Sequence, residues 1–264
     1  MSSRTDNSLR LATWNIHSGI GGDRGFDMAR IVAVLAQIDA DVVGLQEVGW
    51  HRHIHHRIDQ FAYLRERTDY TVVEGLVRDP LRARFGNALL TRLPVEKSRW
   101  VDLKIRGHVP RAALAAQVQR GAALLQVAVL HFGLTVWERE MQTKRLMLAL
   151  APEALSRQAL SGEALTGKAG AREDGAADAA LPPSVLLGDF NMLRRRTRAS
   201  AILAERFPTC VRMPTYPVRR PQLSLDRIYL SPHWEVTDAR VVDHGAALHA
   251  SDHLPLVAEA RLMS

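Results

Sequence analysis

A single cysteine, Cys210, stands in a chain of 264 residues. That excludes an internal disulfide framework and fits a reducing compartment, so a cytoplasmic protein is expected. No apolar run reaches the ~20 residues that a membrane-spanning helix needs. The opening MSSRTDNSLRLATWN lacks the charged head, apolar middle and small-residue cleavage site of a secretion signal, which leaves the whole chain as the expected mature protein. Aromatic residues make up only 6% of the chain, and no long insertion interleaves them with basic residues as a grip on duplex DNA would. An apolar membrane-docking hairpin is also missing, and no short-period repeat is present, which excludes solenoids and propellers. Acidic residues are the scarcer charge, 28 against 35 basic ones, and the net +7 favours anionic partners such as nucleic acid, phosphorylated metabolites or an acidic lipid surface.

What is plentiful is apolar surface: 47% of the residues are hydrophobic, enough for one large α/β domain. LRLATWNI reads as a strand, and a helix follows from about Asp27. That helix carries Met28, Ile31, Val32, Leu35 and Ile38 on one face, with Asp27 as its cap. VVGLQEV is a core strand, RIDQFAYLRER a helix, and TVVEGLV, FGNALLTR and VEKSRWVDL are strands. ALAAQVQ and LLQVAVLHF form a hairpin around Arg120 and Gly121, and Thr135 with Glu138 makes a capping box for a helix running to about Leu155. Residues 161–183 almost lack large apolar side chains and read as a flexible linker. SVLLGDF, a helix near TRASAILAER, and the strands LDRIYLS, WEVTDARVV and LPLVAEARL complete the chain. Strands with interspersed helices, but without strict βαβ alternation, predict an α/β sandwich: two mixed sheets packed face to face with helices outside.

Several strands carry a chemistry-bearing residue at or near one end. Asn15 closes LATWN, Glu47 closes VVGLQE, His131 closes LLQVAVLH, and Asp189 and Asn191 follow SVLLG. Asp226 and the pair Asp252 and His253 lie beside the last strands. One acid after a strand is most often a turn residue or helix cap. Taken as a set, the carboxylates are hard oxygen donors of the kind Mg²⁺ or Mn²⁺ prefers, with Glu47 and Asp252 as the pair. Asp226 can orient His253, and the amides of Asn15 and Asn191 can donate to phosphate or fix a water.

TWNIH, LQEV, FGNALLTRLP, LHF, GDFN, SLDRIYLS and SDHLPL, in that order, resemble the motifs of the endonuclease/exonuclease/phosphatase superfamily, from about Leu9 to Leu262. The resemblance implies a four-layered α/β sandwich and a divalent-metal-dependent phosphoesterase. It implies Glu47 as principal metal ligand with Asn15 and Asp252 around it. Asp189 and Asn191 would orient or activate the attacking water, His131 would contact phosphate, and Asp226 would partner a catalytic His253. Asn15 and Asn191 join His131 as phosphate-binding residues, and whether His253 acts as base or as imidazolium stays open. The substrate is an anionic phosphoester from nucleic acid, lipid or small metabolites, and a monomer is expected.

Two further readings compete. A non-catalytic phosphate or nucleic-acid binding module would be expected to have lost a metal or His253 position, and none is lost. SGIGGDRG sits where a dinucleotide loop would, but Arg24 stands in place of the third glycine, so a flexible loop is favoured. WHRHIHHR, with His51, His53, His55 and His56, lacks a companion cluster for zinc and reads as a basic loop on the rim. Arg194, Arg195, Arg196 and Arg198 are either a solvated helix start or a phosphate-steering cluster, and Arg139 and Gln142 read as surface or packing residues.

Overall fold

The computed structural model describes residues 8–49, 58–77, 84–151 and 181–263. Twelve strands are found there: β1 (Ser8–Asn15), β2 (Val42–Gly49), β3 (Thr71–Leu76), β4 (Phe85–Thr91), β5 (Val95–Asp102), β6 (Ala112–Arg120), β7 (Ala123–His131), β8 (Ser184–Asp189), β9 (Thr209–Arg212), β10 (Asp226–Leu230), β11 (Trp234–Val241) and β12 (Leu256–Leu262). They form two six-stranded sheets, ordered β11-β12-β1-β2-β4-β3 and β5-β6-β7-β8-β10-β9. Each sheet has one parallel pair at its centre, β1 with β2 and β7 with β8, and every other pairing is antiparallel. The central strands are covered on both faces, which is why their sequences run apolar rather than alternating.

Helices α1 (Met28–Ile38) and α2 (Gln60–Arg67) cover the first sheet, burying Ile31, Leu35 and Phe61 against Trp14 and Leu45. Helices α3 (Val136–Ala149) and α4 (Arg198–Arg206) cover the second, with Leu146, Leu203 and Phe207 against Leu130 and Tyr229. Between the sheets Leu11, Leu89, Val129, Leu187 and Ile228 form a third core. The layers are therefore helix, sheet, sheet, helix, as the α/β sandwich expectation requires. Gly44 sets the closeness of the two sheets: a Cβ there would lie 2.7 Å from Leu187 Cβ and 3.1 Å from Val129.

Local chemistry starts the helices where expected. Asp27 accepts from the Ala29 and Arg30 amides, and Thr135 with Glu138 forms the anticipated capping box. Helix α3 stops at Ala149, short of the expected Leu155. Its last carbonyls are taken by arginines, Arg99 at Ala149 and Arg206 at Leu150, and Pro152 in the sequence lacks the N–H to continue. On α1, Val34 rather than Val32 joins the fully buried stripe. The four-residue strand β9 and the single turn α5 (Ala247–Ala250) went unread in the sequence. Residues 18–25 form a loop that bonds to itself, Gly21 N–H to the Gly25 carbonyl and Gly25 N–H to Asp23, which is not the open phosphate cradle of a dinucleotide fold. The His51–His56 stretch lies outside the described residues, as does the proposed linker apart from residues 181–183. No described helix is long and apolar enough to cross a membrane.

Candidate active site

Parallel neighbours finish at the same end of a sheet, and this gathers the polar residues. The register of β1 and β2 sets Asn15 beside Gln46, one residue before Glu47, and that of β7 and β8 sets His131 beside Asp189. β10 runs the other way and begins at this end, so Asp226 is the register partner of Asp189. Asp252 and His253 lead into β12, which flanks β1. Two sheets packed face to face thus bring eight predicted residues, Asn15, Glu47, His131, Asp189, Asn191, Asp226, Asp252 and His253, to one edge of the sandwich.

Asp189 is the hub. Its Oδ2 accepts from Asn15 Nδ2 at 3.2 Å, and His131 Nε2 and His253 Nε2 lie at 3.5 and 3.9 Å. Its Oδ1 accepts the Asn191 N–H at 2.9 Å, bending the chain so that Asn191 enters the left-handed region (φ 50°), which asparagine tolerates. Burial first, then the charge of Asp226, lifts the Asp189 pKa to about 6, against the pull of His253, the Asn191 amide and Asn15. Asn191 Nδ2 in turn donates to the Phe132 carbonyl.

Asn15 joins the two sheets, since its Nδ2 also donates to Glu47 Oε1 at 3.2 Å while its Oδ1 accepts from the His17 N–H. Glu47 sits on an irregularity in the β2–β4 pairing between Leu45 and Val48, with φ 56°. A left-handed glutamate costs roughly 1–2 kcal/mol, and bulges of this kind re-aim side chains beside active sites. Arg111 Nη1 lies 3.0 Å from His131 Nδ1. A guanidinium only donates, so His131 accepts there and carries its proton on Nε2, facing Asp189.

His253 is held from several directions. Its Nδ1 is 2.8 Å from Asp226 Oδ2, its backbone carbonyl accepts from Trp14 Nε1, and its ring lies 4.8 Å from that of Tyr216. Asp226 is fully buried, and its Oδ2 also accepts from Thr215 Oγ1 at 2.5 Å. Burial by itself draws the imidazole toward neutrality. Asp226, followed by Asp189 and Asp252, overrides it and lifts the pKa from 6.5 to about 10.

One cluster of ligand atoms and two more accessible carboxylates are candidates to hold a cation. Among the described residues, Asp189, Asp226 and His253 have ligand atoms within 4.8 Å of one another. In that trio His253 Nδ1 and Asp226 Oδ2 are bonded to each other at 2.8 Å, which leaves fewer free oxygen donors than a hard divalent ion prefers. Glu47 and Asp252 are carboxylates at the accessible side of the cluster, 18% and 35% exposed, and their donor chemistry suits a hard divalent ion. Asp252 Oδ1 lies 3.6 Å from His17 Nδ1.

Of the remaining expectations, Arg139 and Gln142 are buried packing residues that shape the turn after His131. Arg139 donates to the Gly133 and Leu134 carbonyls, while Gln142 accepts from the Gly133 amide and donates toward Leu103. Arg194, Arg195, Arg196 and Arg198 are exposed. Arg111, Thr215 and Tyr216 were not read from the sequence as site residues. The nearness of RPQLSLDR to the T-Y-P triplet was the one available hint, since Tyr216 bonds back to Leu223 across a short turn that carries both toward Asp226.

The chain is thus a two-sheet α/β sandwich with histidine, asparagine and acidic residues gathered at one edge. The profile of the Endonuclease/Exonuclease/phosphatase family matches residues 12–253, and the chain belongs to that family, whose members usually use divalent metals. It is 28% identical over 274 aligned positions to the uncharacterized protein YbhP of Escherichia coli K12, covering 97% of both chains. Among solved structures, it resembles the mannosyl-6-phosphatase of Bacteroides thetaiotaomicron (TM-score 0.70, 15% identity, 96% and 99% of the two chains). It also resembles the human Nocturnin catalytic domain with bound sulfate (TM-score 0.69, 18% identity, 97% and 94%). At these identities the structural likeness establishes the fold.

Proposed function

We propose that the chain hydrolyses phosphoesters, diesters in the first instance, by attack of water with Mg²⁺ or Mn²⁺ as its ion. The observation that carries this reading is the convergence on Asp189 Oδ2, where Asn15 at the end of β1, His131 at the end of β7 and His253 in the loop before β12 surround one buried carboxylate oxygen. Donors so preorganised act on charge that develops during reaction. Asp189, ionised above about 6, takes the proton of the attacking water, and Asn191 fixes that water's position. Asn15 and the Nε2–H of His131, which face Asp189 Oδ2 in the structure, exchange that acceptor for phosphoryl oxygens when the substrate binds. His253, with its proton on Nδ1 committed to Asp226, presents a second N–H from Nε2 and serves as a charged stabiliser rather than a base. Two titratable groups pushed apart in pKa divide the acid and base roles in this way.

Glu47 and Asp252 would hold the ion, with Asn15 orienting Glu47. Bound there, a divalent ion would supply Lewis acidity to a phosphoryl oxygen and charge to offset that on the leaving oxygen. Hydrolysis of bis-p-nitrophenyl phosphate tests the reading. Activity is lost in excess chelator and returns with Mg²⁺ or Mn²⁺. Full activity in chelator, or rescue by zinc alone, overturns it.

A further inference from the structure

On the helix-covered side of the second sheet, between α4 and the edge strand β9, lies a cleft of about 470 Å³, within the size range of small-molecule sites. Arg195 and Arg196 enter it from the loop before α4, Arg212 from β9 and Arg227 from β10, and no carboxylate lines it. Arg212 and Arg227 are direct register partners, so their side chains leave the same face of the sheet. Like charges placed opposite each other on neighbouring strands repel. Arg227 is buried and fixed by neutral acceptors, the carbonyls of Met192, Arg194 and Ser224 and the Tyr229 hydroxyl. It is anchored without being neutralised, and among the described residues no carboxylate pairs with any of the four. A bound anion relieves that repulsion, and Ala204 and Pro208 add an apolar wall beside it.

We propose that this cleft binds a phosphate-bearing small molecule of mononucleotide size, its phosphate held by Arg195, Arg196 and Arg212 and its organic part lying against Ala204 and Pro208. The cleft is separate from the active site. Asp226 and Arg227 are consecutive on β10 and so project to opposite faces, Asp226 toward His253 and Arg227 toward Tyr229. The proposal therefore stands or falls independently of the hydrolytic reading.

Cys210 lines the cleft and is the only cysteine in the chain, so its modification reports on this place alone. The rate of alkylation by N-ethylmaleimide is read by intact mass on the full chain, with adenosine monophosphate as probe and its integrity checked by chromatography. Occupancy slows the reaction by 1 + [AMP]/Kd, about ten-fold at nine times Kd. Sodium chloride at matched ionic strength does not. Changing the exposed pair, Arg195→Ser with Arg196→Ser, removes most of the protection and leaves turnover of bis-p-nitrophenyl phosphate unchanged. An alkylation rate indifferent to AMP up to about 10 mM, where millimolar sites fill, overturns the proposal. Equal protection in the double variant does so too. Inorganic phosphate protecting as strongly as AMP refutes the part assigned to the organic group.

Discussion

Replacing Asp226 by asparagine keeps the shape of a fully buried side chain and removes its charge. In the native protein that charge is the chief reason why His253, buried as it is, has its pKa raised from 6.5 to about 10. A rise of that size corresponds to about 5 kcal/mol of preference for the imidazolium, shared among Asp226, Asp189 and Asp252, with Asp226 the largest contributor. Without it burial prevails, and His253 in Asp226→Asn is neutral near pH 7. Imidazole ¹⁵N shifts followed by NMR read the protonation state directly. A positioned group of this kind is worth roughly 10² to 10⁴ in rate, so kcat falls by that factor, and His253→Ala falls by a similar one. The double variant is little worse than either single one, because groups acting as a unit are not additive. Stability supplies a second readout. A folded-state pKa above the unfolded value of 6.5 gives stabilisation that is complete below about pH 6.5 and is lost as pH rises through about 10. The Tm gap between native protein and Asp226→Asn therefore narrows across that window. A native His253 that titrates near 6.5, or independent multiplicative losses in kcat, refutes the reasoning.

Asp189→Asn abolishes turnover yet raises Tm near neutral pH, by the equivalent of about 3 kcal/mol at most, because an acid lifted to about 6 by burial costs stability once ionised. Calorimetry at pH 7 and again below the unfolded acid's pKa checks this, since the gain must vanish at the lower pH. For the same reason the acid limb of the native pH–rate profile bends near 6, and a limb that bends at the ordinary aspartate value removes Asp189 as base. Gly44→Ala inserts a methyl group 2.7 Å from Leu187 Cβ and destabilises by about 1–3 kcal/mol in urea unfolding, whereas a neutral outcome means that the sheets are not in contact there. Glu47→Gln raises the Mg²⁺ concentration needed for half-maximal activity while leaving Tm in chelator nearly unchanged, and an unaltered metal titration removes Glu47 as a ligand.

Much of this was legible because strands and their ends write themselves into a sequence locally. SVLLGDFN is an apolar run that stops at an acid, and LLQVAVLH one that stops at a histidine, and both observed strands end at those residues. Asp27 and Thr135 announced their helices through side-chain chemistry that needs no tertiary context. Arg111 and Thr215 gave no such notice. Each reaches the site through a hydrogen bond to a residue at least eleven positions away, and arginine and threonine have too many ordinary uses to stand out. The overrun of α3 has the same root, because the carbonyls at its end are satisfied by Arg99 and Arg206, which only the folded chain brings there. The Arg212–Arg227 pairing depended on β9, a four-residue strand with no periodicity long enough to read.

The two sheet orders hold one more relation. Adding six to each strand number of β11-β12-β1-β2-β4-β3, and counting on past twelve to one, yields β5-β6-β7-β8-β10-β9, with every parallel and antiparallel pairing preserved. The two halves of the chain thus repeat one strand topology, and the polar residues sit at its equivalent points: Asn15 ends β1 as His131 ends β7, and Glu47 lies near the end of β2 as Asp189 ends β8. A pair of like scaffolds has been furnished with unlike chemistry, an amide and a rim carboxylate on one side, an imidazole and a buried carboxylate on the other. Because β1 already lies beside β12, a circular permutant opened at Gly121 and joined across those two strands would trace the same strand diagram, with the roles of the halves exchanged.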